Sequence, residues 1–183
     1  MSKFKDEIEI SVKAGNGGPG AVSFRREKYV PFGGPDGGDG GRGGNVSIEA
    51  STNINSLEKF RADLIYAAGN GAGGQPYNRS GKKGADLILK VPPGTVVTEL
   101  DGELIADTGI EKDKIVAIGG KGGKGNTHFK SSVKRTPEYA QPGLPGEEKR
   151  ILLELKLIAD VGFVGLPNSG KSTLLGAITD AHP

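Results

Sequence analysis

The sequence predicts a mainly β domain bearing glycine-rich extended helices. It is followed by the first strand, loop and helix of an α/β phosphate-binding unit. Three observations predict this. Short apolar/polar alternations recur between turn signals. The 32 glycines among 183 residues gather in patches, and parts of those patches repeat every third residue. Residues 165–172 read Gly-x-x-x-x-Gly-Lys-Ser.

The strands come first. Ile8, Ile10 and Val12 alternate with Glu7, Glu9, Ser11 and Lys13, which is the period-two pattern of a half-buried strand. Val46, Ile48 and Ala50 repeat it, and so do Leu87, Leu89 and Val91. Thr95 to Leu100, Leu104–Ile105 and Ile115 to Ile118 follow, with Pro92-Pro93-Gly94 and Asp101-Gly102 as turns. Several short strands with regular turns point to a small all-β sandwich or barrel. The 54–66 stretch, with Ile54, Leu57, Phe60 and Leu64, reads either as a short helix or as an irregular strand.

Twelve glycines lie in 15–44, six in 69–84 and five in 119–125. Residues 36–44 read Asp-Gly-Gly, Asp-Gly-Gly, Arg-Gly-Gly, and 119–125 read Gly-Gly-Lys-Gly-Gly-Lys-Gly. A polyproline II helix has three residues per turn and no internal hydrogen bonds. Two of its edges here are bare glycine, which lets backbones approach closely. The third edge carries Asp36, Asp39 and Arg42 in one run and Lys121 and Lys124 in the other. The expectation is a set of such segments packed side by side. Flexible linkers are the alternative, but those are typically Gly/Ser-rich and these runs contain no Ser.

Composition excludes several classes. Glycine plus proline is 43 of 183 residues, short of a collagen repeat, and the net charge is only +2, unlike a disordered tail. No Cys is present, which excludes disulfides and thiolate metal sites. The two histidines, His128 and His182, are too far apart in sequence to suggest a zinc site. No segment reaches the ~18 to 20 apolar residues of a membrane span. The expected location is the cytoplasm.

Charge is segregated. Residues 119–150 hold seven basic and three acidic residues, and 69–90 hold Arg79, Lys82, Lys83 and Lys90 against Asp86. Basic patches with accessible backbone attract phosphate backbones, so Lys121, Lys124, Lys130, Lys134 and Arg135 are candidate RNA contacts. An ordinary solvated surface is the other reading. Tyr29, Tyr77, His128 and Phe129 are candidates to stack on bases, or core and rim residues instead.

The 165–172 motif has the local context it needs. Leu153, Leu155 and Leu157 alternate with charged residues, and Val161-Gly162-Phe163-Val164 reads as a short buried parallel strand. The loop is Gly165, Leu166, Pro167, Asn168, Ser169, Gly170, Lys171 and Ser172. Thr173 to Ile178 then read as a helix with an apolar face. The glycines let backbone N–H groups turn toward phosphates, Lys171 adds a positive charge, and the Ser172 hydroxyl ligates Mg²⁺. Eleven residues after Ser172 leave no room for a Walker B Asp or a residue that positions water. The expectation is therefore a fragment, with one domain at 1–159 and the truncated start of a second at 160–183.

Ser23-Phe-Arg-Arg-Glu-Lys-Tyr-Val-Pro31, Gly33 to Gly41, Val91-Pro-Pro-Gly-Thr-Val-Val97, Gly119 to Asn126 and Leu155 to Ser172 together resemble the bacterial Obg GTPase family. The resemblance runs through nearly the whole chain. It implies a small β-barrel carrying left-handed glycine-rich helices, joined near Ala159–Asp160 to a Ras-like G domain. It also implies binding of GTP, GDP and ppGpp with Mg²⁺, and slow GTP hydrolysis by the full protein. The implied partners are the large ribosomal subunit and its rRNA, with roles in subunit assembly and the stringent response. A monomer is expected. The switch I Thr, the Asp-x-x-Gly of switch II and the guanine-selecting Asn-Lys-x-Asp are absent from the chain, so guanine specificity rests on the resemblance. This fragment is expected to hold no catalytic residue and to be inactive by itself. The alternatives are a non-enzymatic glycine-rich RNA- or ribosome-binding module with a vestigial phosphate loop, and a small-metabolite kinase, which gives the glycine-rich region no purpose.

Overall fold

A computed structural model describes residues 6–25, 33–156, 164–166, 170, 171, 173 and 174. Among the described residues, eight strands follow one another: β1 (Glu7–Lys13), β2 (Val46–Ala50), β3 (Ile65–Ala67), β4 (Leu87–Val91), β5 (Thr95–Glu99), β6 (Leu104–Asp107), β7 (Asp113–Ala117) and β8 (Glu148–Leu155). One sheet has the order β3-β1-β8-β5-β6, and a second the order β4-β2-β7. Ile8 faces Leu153 and Ile10 faces Ile151 across the antiparallel β1–β8 pair. Val97 of β5 also faces Leu153. All five are buried, and they share one core with Val46 and Ile48 of β2 and Leu89 and Val91 of β4. The alternating positions thus point inward from both sheets, as their period requires.

The expected barrel does not close. Two open sheets face each other across the core, leaving two seams. One lies between β3 and β4, a groove of about 410 Å³ lined by residues including Tyr66, Leu87 and Lys90. The other lies between β6 and β7, about 250 Å³, lined by residues including Leu104, Asp107 and Lys114. The first seam stays open for two reasons. β3 is only three residues long. In addition, the Lys59 ammonium takes the Lys90 carbonyl on the free side of β4. Lys59 lies in the turns before β3, so its ammonium occupies an acceptor that a further strand on β4 would need.

The 54–66 stretch forms neither the helix nor the extended irregular strand that its pattern allowed. It is a series of turns that joins β3 only at Ile65, and Leu57 and Phe60 insert fully into the core. The edge of the Phe60 ring meets Tyr66, with centroids 5.7 Å apart.

Six glycine-rich segments (14–21, 36–44, 68–75, 79–86, 118–126 and 141–147) stand on the sheets as a bundle. Their backbone hydrogen bonds advance three residues at a time. Gly15, Gly18 and Ala21 donate to the carbonyls of Gly44, Gly41 and Gly38. Gly120, Gly123 and Asn126 donate to those of Gly15, Gly18 and Ala21. Gly38, Gly41 and Gly44 donate to Gln75, Ala72 and Gly69. The 14–21 and 36–44 segments lie at the centre, bonded on several sides. A side chain cannot fit there, because a Cβ on Gly40 would fall inside the carbonyl of Gly18, and one on Gly122 inside that of Gly40. These glycines are required for close approach. Positive φ occurs only at Gly94, Gly102 and Gly170 among the described glycines.

The expected charged edge of the 36–44 run is only partly exposed. Arg42 faces solvent and Asp39 is half-buried, but Asp36 is 6% exposed. Its carboxylate accepts the Ser23 hydroxyl at 2.5 Å and the Tyr77 N–H at 3.2 Å. A buried carboxylate needs such partners, and the three-residue period alone did not reveal them.

Candidate functional sites

Two regions gather the candidate residues: the far end of the glycine-rich bundle, and the 165–172 motif.

At the bundle end the chain turns between segments, and a 3₁₀ helix, Asn126–Phe129, follows the 118–126 run. Asn126 is fully buried. Its side-chain oxygen accepts the Gly37 N–H at 2.9 Å. Its amide nitrogen donates to the carbonyls of Ser23 at 3.0 Å and Pro137 at 3.1 Å. Thr127 donates its hydroxyl to the Gly37 carbonyl at 2.9 Å and lies 2.9 Å from Asn78 Oδ1. The His128 Nε2 is 3.0 Å from the Asp39 carboxylate, which also accepts the Gly125 N–H at 2.8 Å. Side chains from one short helix thereby link several segments at the tip. Sequence reasoning did not single out Asn126 or Thr127 as functional. The only available signal was a buried-type amide directly ending a glycine run.

The candidate RNA-contact residues fall into two groups. Lys121 and Lys124 are exposed on the flank of the 118–126 segment. They border a groove of about 440 Å³ with Gln141, Pro142 and Leu144. Lys130, Lys134 and Arg135 are exposed on the loop at the tip. The Lys134 ammonium sits 4.6 Å from the Tyr139 ring centroid, and Tyr139 packs against Phe129 at 4.8 Å. Of the stacking candidates, Phe129 is therefore half-buried against Tyr139 and His128 is engaged by Asp39. Tyr77 is 66% exposed, with φ of 61°. Tyr29 lies outside the described residues.

Within the phosphate-loop motif, Gly165, Leu166, Gly170 and Lys171 are described, while Pro167, Asn168, Ser169 and Ser172 lie outside the described residues. Gly170 has φ of 80°, a left-handed conformation that favours glycine. The Lys171 ammonium reaches back across the loop to the carbonyls of Gly165 at 2.8 Å and Leu166 at 2.6 Å. Leu174 donates to the Gly170 carbonyl at 2.9 Å, the i to i−4 bond that opens a helix. Gly170 thus turns the chain into the first turn of a helix, with Lys171 folded back over the first carbonyls of the loop. Val164, expected within a buried strand, is fully exposed. Among the described residues, Glu99, Asp101 and Glu103 form an acidic trio on the β5–β6 hairpin. Glu99 is already paired with Lys149 at 3.3 Å. No helix among the described residues is long and apolar enough to cross a membrane.

The GTP1/OBG family profile matches residues 5–157. Over 98% of its length the chain is 57% identical to a protein named GTPase Obg from Alkaliphilus oremlandii (strain OhILAs), covering 42% of that protein. It is 54% identical over its whole length to a GTPase Obg from Leptospira biflexa serovar Patoc (strain Patoc 1 / Ames), covering 54% of that protein. The chain thus spans about half the length of the curated relatives it matches.

Proposed function

The chain belongs to the GTP1/OBG family, and from that premise we propose that it is the N-terminal part of a GTP-switched factor that works on the large ribosomal subunit. The 1–159 portion is the docking domain, and 160–183 begin the G domain. The six glycine-rich segments are left-handed polyproline-II-type helices. Their three-residue hydrogen-bond period supports that reading.

The observation that carries the nucleotide assignment is the Lys171 ammonium held over the Gly165 and Leu166 carbonyls, beside a left-handed Gly170. These residues fit a polyphosphate: backbone N–H groups and Lys171 face the phosphates of GTP or GDP, and ppGpp presents the same chemistry. Mg²⁺, when bound, neutralises phosphate charge, with Ser172 as its protein ligand. The whole protein hydrolyses GTP slowly. The 183 residues alone lack Asp-x-x-Gly and Asn-Lys-x-Asp, so they bind GTP negligibly and do not hydrolyse it. Calorimetry with GTP and Mg²⁺ tests this, and micromolar binding by the 183-residue chain overturns it.

Docking uses the tip residues Lys130, Lys134 and Arg135 and the flank residues Lys121 and Lys124 against rRNA phosphates. The tip is basic and exposed, and stands at the end of the bundle away from the β8 exit. The protein works as a cytoplasmic monomer in subunit assembly and growth control. Co-sedimentation of the chain with purified large subunits tests the docking. Failure to co-sediment at low salt overturns it.

A further inference from the structure

Tyr77 carries the most exposed ring of the described aromatic residues. Among the described residues no other ring and no cation packs on it. Its backbone is unusual as well. Tyr77 and Asn78 are consecutive left-handed residues, with φ of 61° and 56°. They form the centre of a tight turn, closed by the Arg79 N–H on the Pro76 carbonyl and the Gln75 N–H on the Arg79 carbonyl. Glycine and asparagine suit such a turn, whereas a bulky side chain at its first central position is strained. Asp36 holds the strain in place. The Tyr77 N–H donates to its buried carboxylate at 3.2 Å, and the Asn78 N–H donates to its carbonyl at 2.7 Å. The Ser23 hydroxyl fixes that carboxylate, and Asn78 Oδ1 lies 2.9 Å from the Thr127 hydroxyl at the tip. A glycine would take this backbone freely. The fold thus gains nothing from the ring, yet holds it at a fixed place beside the basic tip.

We propose that Tyr77 is a stacking platform for an unpaired nucleobase of rRNA. The inference rests on the docking reading above and names what the tip recognises besides phosphate. A flat ring stacks on the open face of an unpaired base, whatever that base is. It neutralises no phosphate, so it releases no counterion. Lys130, Lys134 and Arg135 attract the RNA backbone, while Tyr77 favours single-stranded positions over paired ones.

The test is co-sedimentation with purified large ribosomal subunits across a salt series, using the parent chain, Tyr77→Gly and Tyr77→Trp. Tyr77→Gly is expected to melt no lower than the parent, since the backbone strain is relieved. It is nevertheless expected to bind about tenfold more weakly, with an unchanged salt slope. The chain contains no Trp, so Tyr77→Trp introduces a unique fluorophore. That variant is expected to keep its affinity and to lose emission on binding, as a ring stacked on a base does. Parent-like affinity in Tyr77→Gly overturns the platform and leaves the docking reading standing. A lower melting temperature in Tyr77→Gly makes Tyr77 a residue of the fold and overturns the proposal. A blue shift of the Trp emission without quenching places the ring against apolar protein surface and overturns the nucleobase. Absence of co-sedimentation by the parent chain at low salt overturns the docking reading and this inference with it.

Discussion

The side-chain oxygen of Asn126 accepts the Gly37 N–H at 2.9 Å, across 89 positions of sequence. The same carboxamide donates to Ser23 and Pro137, so a single buried side chain satisfies backbone groups from three turns. Buried polar groups left without partners are costly, about 1–3 kcal/mol each. Asn126→Ala is therefore expected to lower stability by about 2–4 kcal/mol, read as a fall in urea midpoint at unchanged slope. Asn126→Asp keeps the acceptor for Gly37 but sets a carboxylate oxygen against the Ser23 and Pro137 carbonyls, and is expected to cost at least as much at neutral pH. A fully native midpoint in Asn126→Ala would show that the tip is held together by its glycine contacts alone.

The glycine positions of one segment separate two roles. A Cβ on Gly71 or Gly74 falls on the carbonyl of Gly41 or Gly38, whereas one on Gly73 meets Pro19 at 3.6 Å, an ordinary contact. Gly71→Ala and Gly74→Ala are expected to cost about 3 kcal/mol or more, as overpacking against rigid backbone does. Gly73→Ala is expected to be neutral or to stabilise by about 0.5 kcal/mol, through the reduced entropy of the unfolded chain. Thermal melts of the three variants decide it. Equal damage at all three positions would mean that the bundle does not discriminate by the third-residue register.

That register was legible in advance because it is local: Asp-Gly-Gly and Gly-Gly-Lys repeats show themselves in a few residues. The inward faces of β1, β2, β4 and β8 were legible for the same reason, since Ile8, Ile10, Val12, Leu153 and Leu155 alternate with charges. Closure of the sheets was not legible. It depends on whether β3 meets β4 and β6 meets β7, and neither pairing leaves a sequence period. Nor was the burial of Asp36. Its period-three neighbours Asp39 and Arg42 lie nearer solvent, and only the Ser23 hydroxyl and Tyr77 N–H, both distant in sequence, explain why it lies inside. In the 165–172 motif, glycine spacing anticipates a tight backbone at Gly170, which adopts φ of 80°.

Acid sensitivity follows from Asp86. Its carboxylate accepts the Lys83 ammonium at 2.6 Å and the Asn45 N–H at 2.7 Å. The Lys83 hydrogen bond, then the Asn45 bond, hold its pKa below the usual carboxylate value. A carboxylate whose pKa is depressed on folding adds stability above its unfolded pKa, and loses it as pH falls through the folded pKa. The Asp86 side chain is 42% exposed, so solvent screening keeps the effect small. Asp86→Asn is expected to destabilise slightly at neutral pH, with the difference from the parent chain lost as pH falls from neutral through the lowered pKa of Asp86. Melting temperatures across that range check it, and a difference that grows toward acid pH would reverse the assignment.

The proposed docking predicts distinct salt dependences for the two basic groups in binding to large ribosomal subunits. Lys130, Lys134 and Arg135 project from the tip, and Lys121 and Lys124 from the flank beside the groove of Gln141 and Leu144. Each phosphate contact releases counterions, so losing one reduces the slope of log affinity against log salt by about one. Charge reversal at the three tip residues is expected to reduce the slope by about three, and reversal at the two flank residues by about two. All five residues are exposed and none belongs to the buried core, so both variants should melt like the parent chain. A reduced slope in the tip variant alone would confine RNA contact to the end of the bundle. Unchanged slopes in both would mean that ribosome binding does not depend on these five charges.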